Sequence, residues 1–267
     1  VFLAAGAALA DVTHLRSSHD QLLVQPGENQ VALYNPISRR WESTAGGWKQ
    51  DFDPRPNAIC CDGRYLIWGS RGNAEESISV FDARRRSWDK IEKPPCDSRS
   101  FYAATVQGSR FAVWGGTRDS NGSLADGAIF DFSRRRWEKI PNAPIVPRTA
   151  SGMAWCGRRI FVWGGYTLGG GNDYANDGAV FDLATGAWRR VSKSGLDGRT
   201  LPIVVAVRNL ILVWGGFGGS GWFADGALYD PDKDTWEKLP PAPMSPRSGS
   251  GVAVLGSKVF LFFGDGA

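Results

Sequence analysis

The segment DGAIFDFSRRRW at residues 126–137 is written again, with small changes, as DGAVFDLATGAW at 177–188 and DGALYDPDKDTW at 225–236. One copy would describe an ordinary hairpin. Copies at a nearly fixed spacing describe a repeated supersecondary unit, and such units bury their apolar faces against one another, which constrains architecture more than any local propensity. The core of the motif is an aromatic residue, then Asp or Asn, then five residues, then Trp: Tyr34 to Trp41, Phe81 to Trp88, Phe130 to Trp137, Phe181 to Trp188 and Tyr229 to Trp236. A second signature precedes it. IWGS, VWGG, VWGG and VWGG hold Trp68, Trp114, Trp163 and Trp214, with LFFG at 261–264 in the fifth place. Those Trp are 46, 49 and 51 residues apart, so the period is about 49. Arg99, Arg148 and Arg199 each stand fifteen residues before their Trp, and Arg55 and Arg247 hold similar places in their own copies.

One period reads as four strands. A small apolar run such as SFYAATV is followed by a turn, then RFAVWGG, a loop, DGAIFDF, a polar turn and RWEKIP. FAVW is apolar at consecutive positions, as in a strand covered on both faces, and the polar turn before RWEKI has the length of a hairpin loop. Four antiparallel strands repeated at this period predict propeller blades. The Gly-Gly pair lets the backbone leave the sheet, and the Asp of DGA is placed to bond backbone amides as the chain returns. The Trp that closes each motif, Trp137 for example, is expected to wedge between neighbouring blades, since a lone four-stranded sheet leaves a broad face wet.

Composition agrees with strands and turns: 12 Trp and 34 Gly in 267 residues suit large side chains packed between tight turns, not long helices. A net charge of +4 is too mild to call for a nucleic-acid partner. Apart from the opening decapeptide no stretch is apolar enough to suggest a membrane span. That decapeptide, VFLAAGAALA, is like the apolar core of a secretory leader with Ala8-x-Ala10 ahead of Asp11, although no basic segment leads it; its alternative is an Ala-rich strand of the first or last blade. The first reading implies an extracytoplasmic or secreted protein, the second is compatible with the cytoplasm. Cys60, Cys61, Cys96 and Cys156 lack the paired CxxC spacing of a zinc site; Cys96 could bridge to Cys60 or Cys61, or all four could be small buried strand residues.

The Gly-Gly pairs, the aromatic and Trp pairs and the junction EKLPPAPMSPRSGSG together resemble kelch repeats over nearly the whole chain. The resemblance implies an all-β, kelch-type β-propeller, a single monomeric domain over 11–267. Blade starts near residues 11, 55, 99, 148, 199 and 247 give six four-stranded blades, the last stopping after two strands. The first repeat departs from the pattern, with LLVQPG in place of Trp-Gly-Gly, and IWGS in the second holds a single Gly.

Loops between second and third strands share a face with the blade junctions. Those at 117–126, 166–177 and 217–225 are longer and more varied than a hairpin needs, and carry Tyr166, Tyr174, Phe217 and Trp222. These rings could stack on a sugar or grip a peptide, and Trp222 lies outside the repeat pattern. The same face is expected to carry Arg99, Arg148, Arg199 and Arg247, each followed by Ser or Thr. In kelch domains that capture acidic peptides, Arg and Ser at this place hold carboxylates, so the resemblance makes these Arg candidate ligand contacts; their alternative is pairing with an Asp of a neighbouring loop. The expected role is a scaffold for a protein segment or a glycan, without a cofactor or metal. An enzyme, such as a sugar mutarotase of the sialic acid type using Arg199 with Asp225 or Asp177, is the alternative. A copper radical oxidase would need His ligands, and His14 and His19 are the only two, both in the first repeat. On the opposite face the turns holding Arg39, Arg40, Arg84 to Arg86 and Arg134 to Arg136 read as solvated, with an acidic polymer as the alternative partner.

Overall fold

The computed structural model describes residues 12–18, 21–26, 30–35, 40–45, 58–61, 63–67, 78–82, 84–118, 122–168, 173–262 and 264–266, and the chain divides into two compact units, 1–93 and 94–267. The opening decapeptide, Arg55 and Trp68 lie outside the described residues, as do the side chains of Cys60 and Cys61. No helix occurs among the described residues, and none is therefore long and apolar enough to cross a membrane.

The first unit holds two four-stranded antiparallel sheets. One is built from Val12–Ser18 (β1), Gln21–Pro26 (β2), Gln30–Asn35 (β3) and Arg40–Ala45 (β4), the other from Ala58–Cys61 (β5), Arg64–Ile67 (β6), Ile78–Asp82 (β7) and Ser87–Ile91 (β8). Phe81 lies opposite Trp88 across β7 and β8, the same pairing that Tyr34 and Trp41 make across β3 and β4.

The second unit repeats that meander three times. Ala103–Gln107 (β9), Arg110–Trp114 (β10), Gly127–Asp131 (β11) and Arg136–Ile140 (β12) form one sheet. Gly152–Cys156 (β13), Arg159–Trp163 (β14), Gly178–Asp182 (β15) and Ala187–Arg190 (β16) form the next. The third combines Ile203–Val207 (β17) and Leu210–Trp214 (β18) with Gly226–Asp230 (β21) and Thr235–Lys238 (β22). Its second-to-third-strand loop contains a two-residue hairpin of its own, Phe217–Gly218 (β19) with Gly221–Trp222 (β20). A last hairpin pairs Gly251–Leu255 (β24) with Lys258–Phe262 (β25), while Arg247–Ser248 (β23) pairs with Asp265–Gly266 (β26). The first strands stand side by side: β9 next to β13, β13 next to β17, and β17 next to β24. This is the propeller arrangement, in which first strands line the inside and fourth strands the rim.

The apolar residues of adjacent sheets fill the seams between them. Trp114, Ile129 and Ile140 of one sheet share a core with Met153, Trp155, Ile160 and Phe181 of the next, and Phe161 and Trp163 share one with Ile211, Val213 and Tyr229. The motif-closing Trp reaches back across the seam. Trp188 lies 6.2 Å from Trp114 and donates its indole N–H to the Pro141 carbonyl, 2.8 Å away. Trp236 repeats this one sheet later, 6.2 Å from Trp163 and donating to Ser192 O at 3.0 Å. Trp137 packs on Phe111 and Phe130 of its own sheet, at 5.2 and 5.0 Å. All three are half-buried, because the fourth strand forms the rim.

A polar latch reinforces the second seam. Asp234, in the β21–β22 turn, accepts from Tyr229 Oη (2.5 Å), Arg189 Nη1 (3.0 Å) and Ser192 N–H (3.1 Å). Burial by itself would raise its pKa, but the bonds from Tyr229, Ser192 and Arg189 outweigh it and hold the carboxyl below its ordinary value of 3.8. A depressed folded pKa contributes stability that is complete above the unfolded value and is lost as pH falls through the folded one. Asp234→Asn is therefore expected to cost about 1 to 2 kcal/mol at pH 7, an amount already discounted for solvent screening at a 40 % exposed side chain, and progressively less below pH 3.8. Urea unfolding of both proteins across that range checks it: a gap that stays constant with pH removes Asp234 as the titrating group.

Candidate functional site

The face built from the second-to-third-strand loops and the sheet junctions of the second unit is tied together by its backbone. Each Trp-Gly-Gly leaves its sheet through two left-handed glycines, and the second donates its N–H to the carbonyl of the next repeat's Arg: Gly116 to Arg148, Gly165 to Arg199 and Gly216 to Arg247, at 2.8–2.9 Å. At Gly165 a side chain is impossible: φ is +109° and a Cβ would lie 2.7 Å from Thr149 O. The residue after each Gly pair then exchanges two backbone bonds with the residue after the Arg of its own repeat, joining Thr117 to Ser100, Tyr166 to Thr149 and Phe217 to Thr200. Neighbouring loops also meet directly, where Leu168 N–H donates to Ser123 Oγ.

Beneath these loops lie the junction arginines. Arg99, Arg148 and Arg199 are 2 %, 1 % and 0 % exposed. Arg199 donates from Nε to Asp197 O (2.9 Å) and from Nη1 to Gly215 O (3.3 Å) and Asp225 Oδ1 (2.6 Å), and its guanidinium covers the Phe223 ring at 3.9 Å. Arg148 makes the matching bonds to Val146 O, Gly164 O and Asp177 Oδ1. Arg99 bonds Asp97 O, Gly115 O and Asp126 O, and its Nη2 lies 3.0 Å from Asp126 Oδ1 without hydrogen-bond alignment. These three guanidinium groups are out of reach of solvent, with donors on backbone carbonyls and, for Arg148 and Arg199, on a loop carboxylate, an arrangement that serves the junction and favours the Asp-pairing alternative over a ligand contact. In two of the DGA motifs the Asp, Asp177 and Asp225, takes an Arg through its carboxylate, in place of the backbone amides expected of it. Arg247 alone of the four is half-buried, bonding Ser245 O and Oγ at 3.0 and 2.8 Å.

The four expected aromatic residues come together. Tyr166 and Tyr174 meet edge-on at 5.1 Å between centroids, Tyr174 meets Phe217 at 5.9 Å, and Phe217 meets Trp222 at 5.3 Å. This row crosses from one sheet's loop to the next. Gly198 permits the crossing, since a Cβ there would overlap the Tyr174 carbonyl. Trp222, at the end of the row in the β19–β20 hairpin, is 38 % exposed.

Three residues on this face escaped the sequence reading. Phe101, Ala150 and Leu201, each two positions after a junction Arg, have φ of +52°, +51° and +50°. Their residue types carry no signal for such a backbone; the glycine at the equivalent position 249 was the available hint.

Elsewhere, an apolar groove lined by Leu212, Leu228, Leu239 and Val259 opens near the β17–β18 turn, away from this face, where the β24–β25 hairpin leaves the last seam partly uncovered. Burial raises the Cys96 thiol to about 11 and raises Cys156 too, so both buried free thiols stay protonated and unreactive at neutral pH. No group of three or more His, Cys, Asp or Glu gathers into a metal site among the described residues.

No curated protein matches the chain. A family profile does: that of the KLHDC2/KLHL20/DRC7 Kelch-repeats domain matches residues 57–264, from the second sheet of the first unit through nearly all of the second unit and every Trp-Gly-Gly signature. The chain therefore belongs to the KLHDC2/KLHL20/DRC7 Kelch-repeats domain family, and it is a kelch-repeat β-propeller, a fold that serves generally as a protein-interaction scaffold.

Proposed function

We propose that the loop face of the second unit binds a protein segment, with Tyr166, Tyr174, Phe217 and Trp222 as its contact row and with Arg99, Arg148 and Arg199 holding the loops from beneath. The observation that carries this reading is the unbroken row of four rings across two loops, ending on a Trp that has no packing duty in the repeat. Rings fixed by backbone pairing lose little conformational entropy on binding, and a Trp at the end of such a row is the residue type that dominates binding energy at protein interfaces. Arg247, the half-buried member of the Arg series, supplies a cation at the edge of the same face for a carboxylate of the segment.

A glycan would also stack on this row, and a mutarotase would place Arg199 and Asp225 at a sugar. Against the latter, Arg199 is buried and its Nη1 is already engaged by Asp225 at 2.6 Å. A peptide array, a glycan array and a turnover assay with sialic acid and galactose, run on one preparation, separate the three. Peptide capture without turnover is expected. Trp222→Ala should weaken that capture at least about tenfold while moving the melting temperature by no more than about 2 °C, because the ring is solvent-facing. Glycan capture alone, or turnover, overturns the reading.

A further inference from the structure

Seven described residues other than glycine have positive φ, and four of them, Arg86, Arg135, Arg208 and Asp234, sit in hairpin turns, where that conformation closes the loop. The other three, Phe101, Ala150 and Leu201, sit at the entrance to β9, β13 and β17. A left-handed backbone is unfavourable for residues with a Cβ, and the repeat that begins at Arg247 shows the cost-free choice at this position: Gly249, with φ of +62°. Phe101 and Leu201 do not recover the cost by burial, for they are 55 % and 42 % exposed. Large apolar side chains held in an unfavoured backbone and shown to solvent are the kind of outlier that points to function.

Their arrangement says which function. Ala150 N–H donates to Phe101 O (2.7 Å), Leu201 N–H to Ala150 O (2.9 Å) and Gly249 N–H to Leu201 O (3.4 Å), so the four follow one another along the innermost edge of the face in the order large, small, large, small. Ala150, the smaller residue, thus stands between two exposed apolar side chains. The residues immediately before Ala150 and Leu201, Thr149 and Thr200, are the ones that pair with Tyr166 and Phe217, which makes this edge continuous with the aromatic row. The nearby guanidinium groups of Arg99, Arg148 and Arg199 are buried in their own junctions and lend this edge no exposed cation.

We infer that Phe101, Ala150 and Leu201 form a pocket for one aliphatic or aromatic side chain of the bound protein segment, and that Phe101 and Leu201 determine the specificity for it. This rests on the reading of the loop face as a protein-binding surface. The test pans a phage-displayed library of random heptapeptides on the wild type and on the double variant Phe101→Gly/Leu201→Gly. Wild-type pools should share an apolar residue at one position. The double variant should bind the selected peptides at least about tenfold more weakly, yet melt about 2 to 4 °C higher, because glycine relieves the left-handed backbone. Opposite signs for binding and stability are what a packing role cannot produce.

If the wild type enriches no peptide, the protein-binding reading falls and the pocket with it. Selected peptides that bind the double variant as tightly as the wild type overturn the pocket alone. So does a double variant that melts lower, since Phe101 and Leu201 would then be packing residues. Trp222→Ala in parallel keeps the cases apart, because it should weaken every peptide without removing the apolar preference.

Discussion

Arg199→Ala is expected to lower the free energy of unfolding by about 3 to 5 kcal/mol, the size of a large buried truncation that also strands two backbone acceptors. The Arg199 side chain is fully buried whereas that of Asp225 is 54 % exposed, so water can take over the carboxylate once the Arg is gone. The loss comes instead from the Asp197 and Gly215 carbonyls left without a donor, from the exposed face of the Phe223 ring and from the cavity. Arg199→Lys should recover less than half, because one ammonium cannot reach Asp197 O, Gly215 O and Asp225 together. Arg247→Ala, at a half-buried position, should cost about 1 kcal/mol. Equilibrium urea unfolding of the three variants checks the order, and an Arg199→Ala loss no larger than that of Arg247→Ala would remove the junction role.

Trp163→Ala comes next, at about 3 to 5 kcal/mol, as for other buried aromatic truncations. The ring is wholly buried and meets Trp236 of the following sheet at 6.2 Å, so the cavity opens in the seam, where two sheets must both relax to close it. Its indole N–H has no hydrogen-bond partner among the described residues. Trp163→Phe should therefore cost well under half as much, because it removes an unsatisfied donor along with the second ring. A double-mutant cycle with Trp236→Ala should show coupling of about 1 kcal/mol. Additive losses would mean that the two indoles stabilise their own sheets independently.

How much of this was written in the sequence differs from residue to residue. Trp114, Trp163 and Trp214 fixed the second strands, because apolar runs ending in Gly-Gly admit few other structures. The Trp at 137, 188 and 236 fixed the fourth. Arg148 and Asp177 were each visible as repeated residues, but their pairing was open. The choice between a ligand carboxylate and a loop carboxylate depends on burial, and burial is decided by how the loop folds over the Arg. The row from Tyr166 to Trp222 was legible only as aromatic content in two loops, since its continuity depends on Gly198 letting one loop approach the next. Phe101 and Leu201 were not legible at all: their left-handed backbone is imposed by the ring of junction bonds and opposed by their own residue types.

Because the carbonyls of Arg148 and Arg199 accept from the preceding repeat while their guanidinium groups clamp their own loops, these two junctions each belong to two repeats at once. Fraying at one junction withdraws an acceptor upstream and an anchor downstream in the same event. Nearest-neighbour coupling of this kind, large against the intrinsic stability of a single meander, makes the sheets of the second unit melt together and not one at a time.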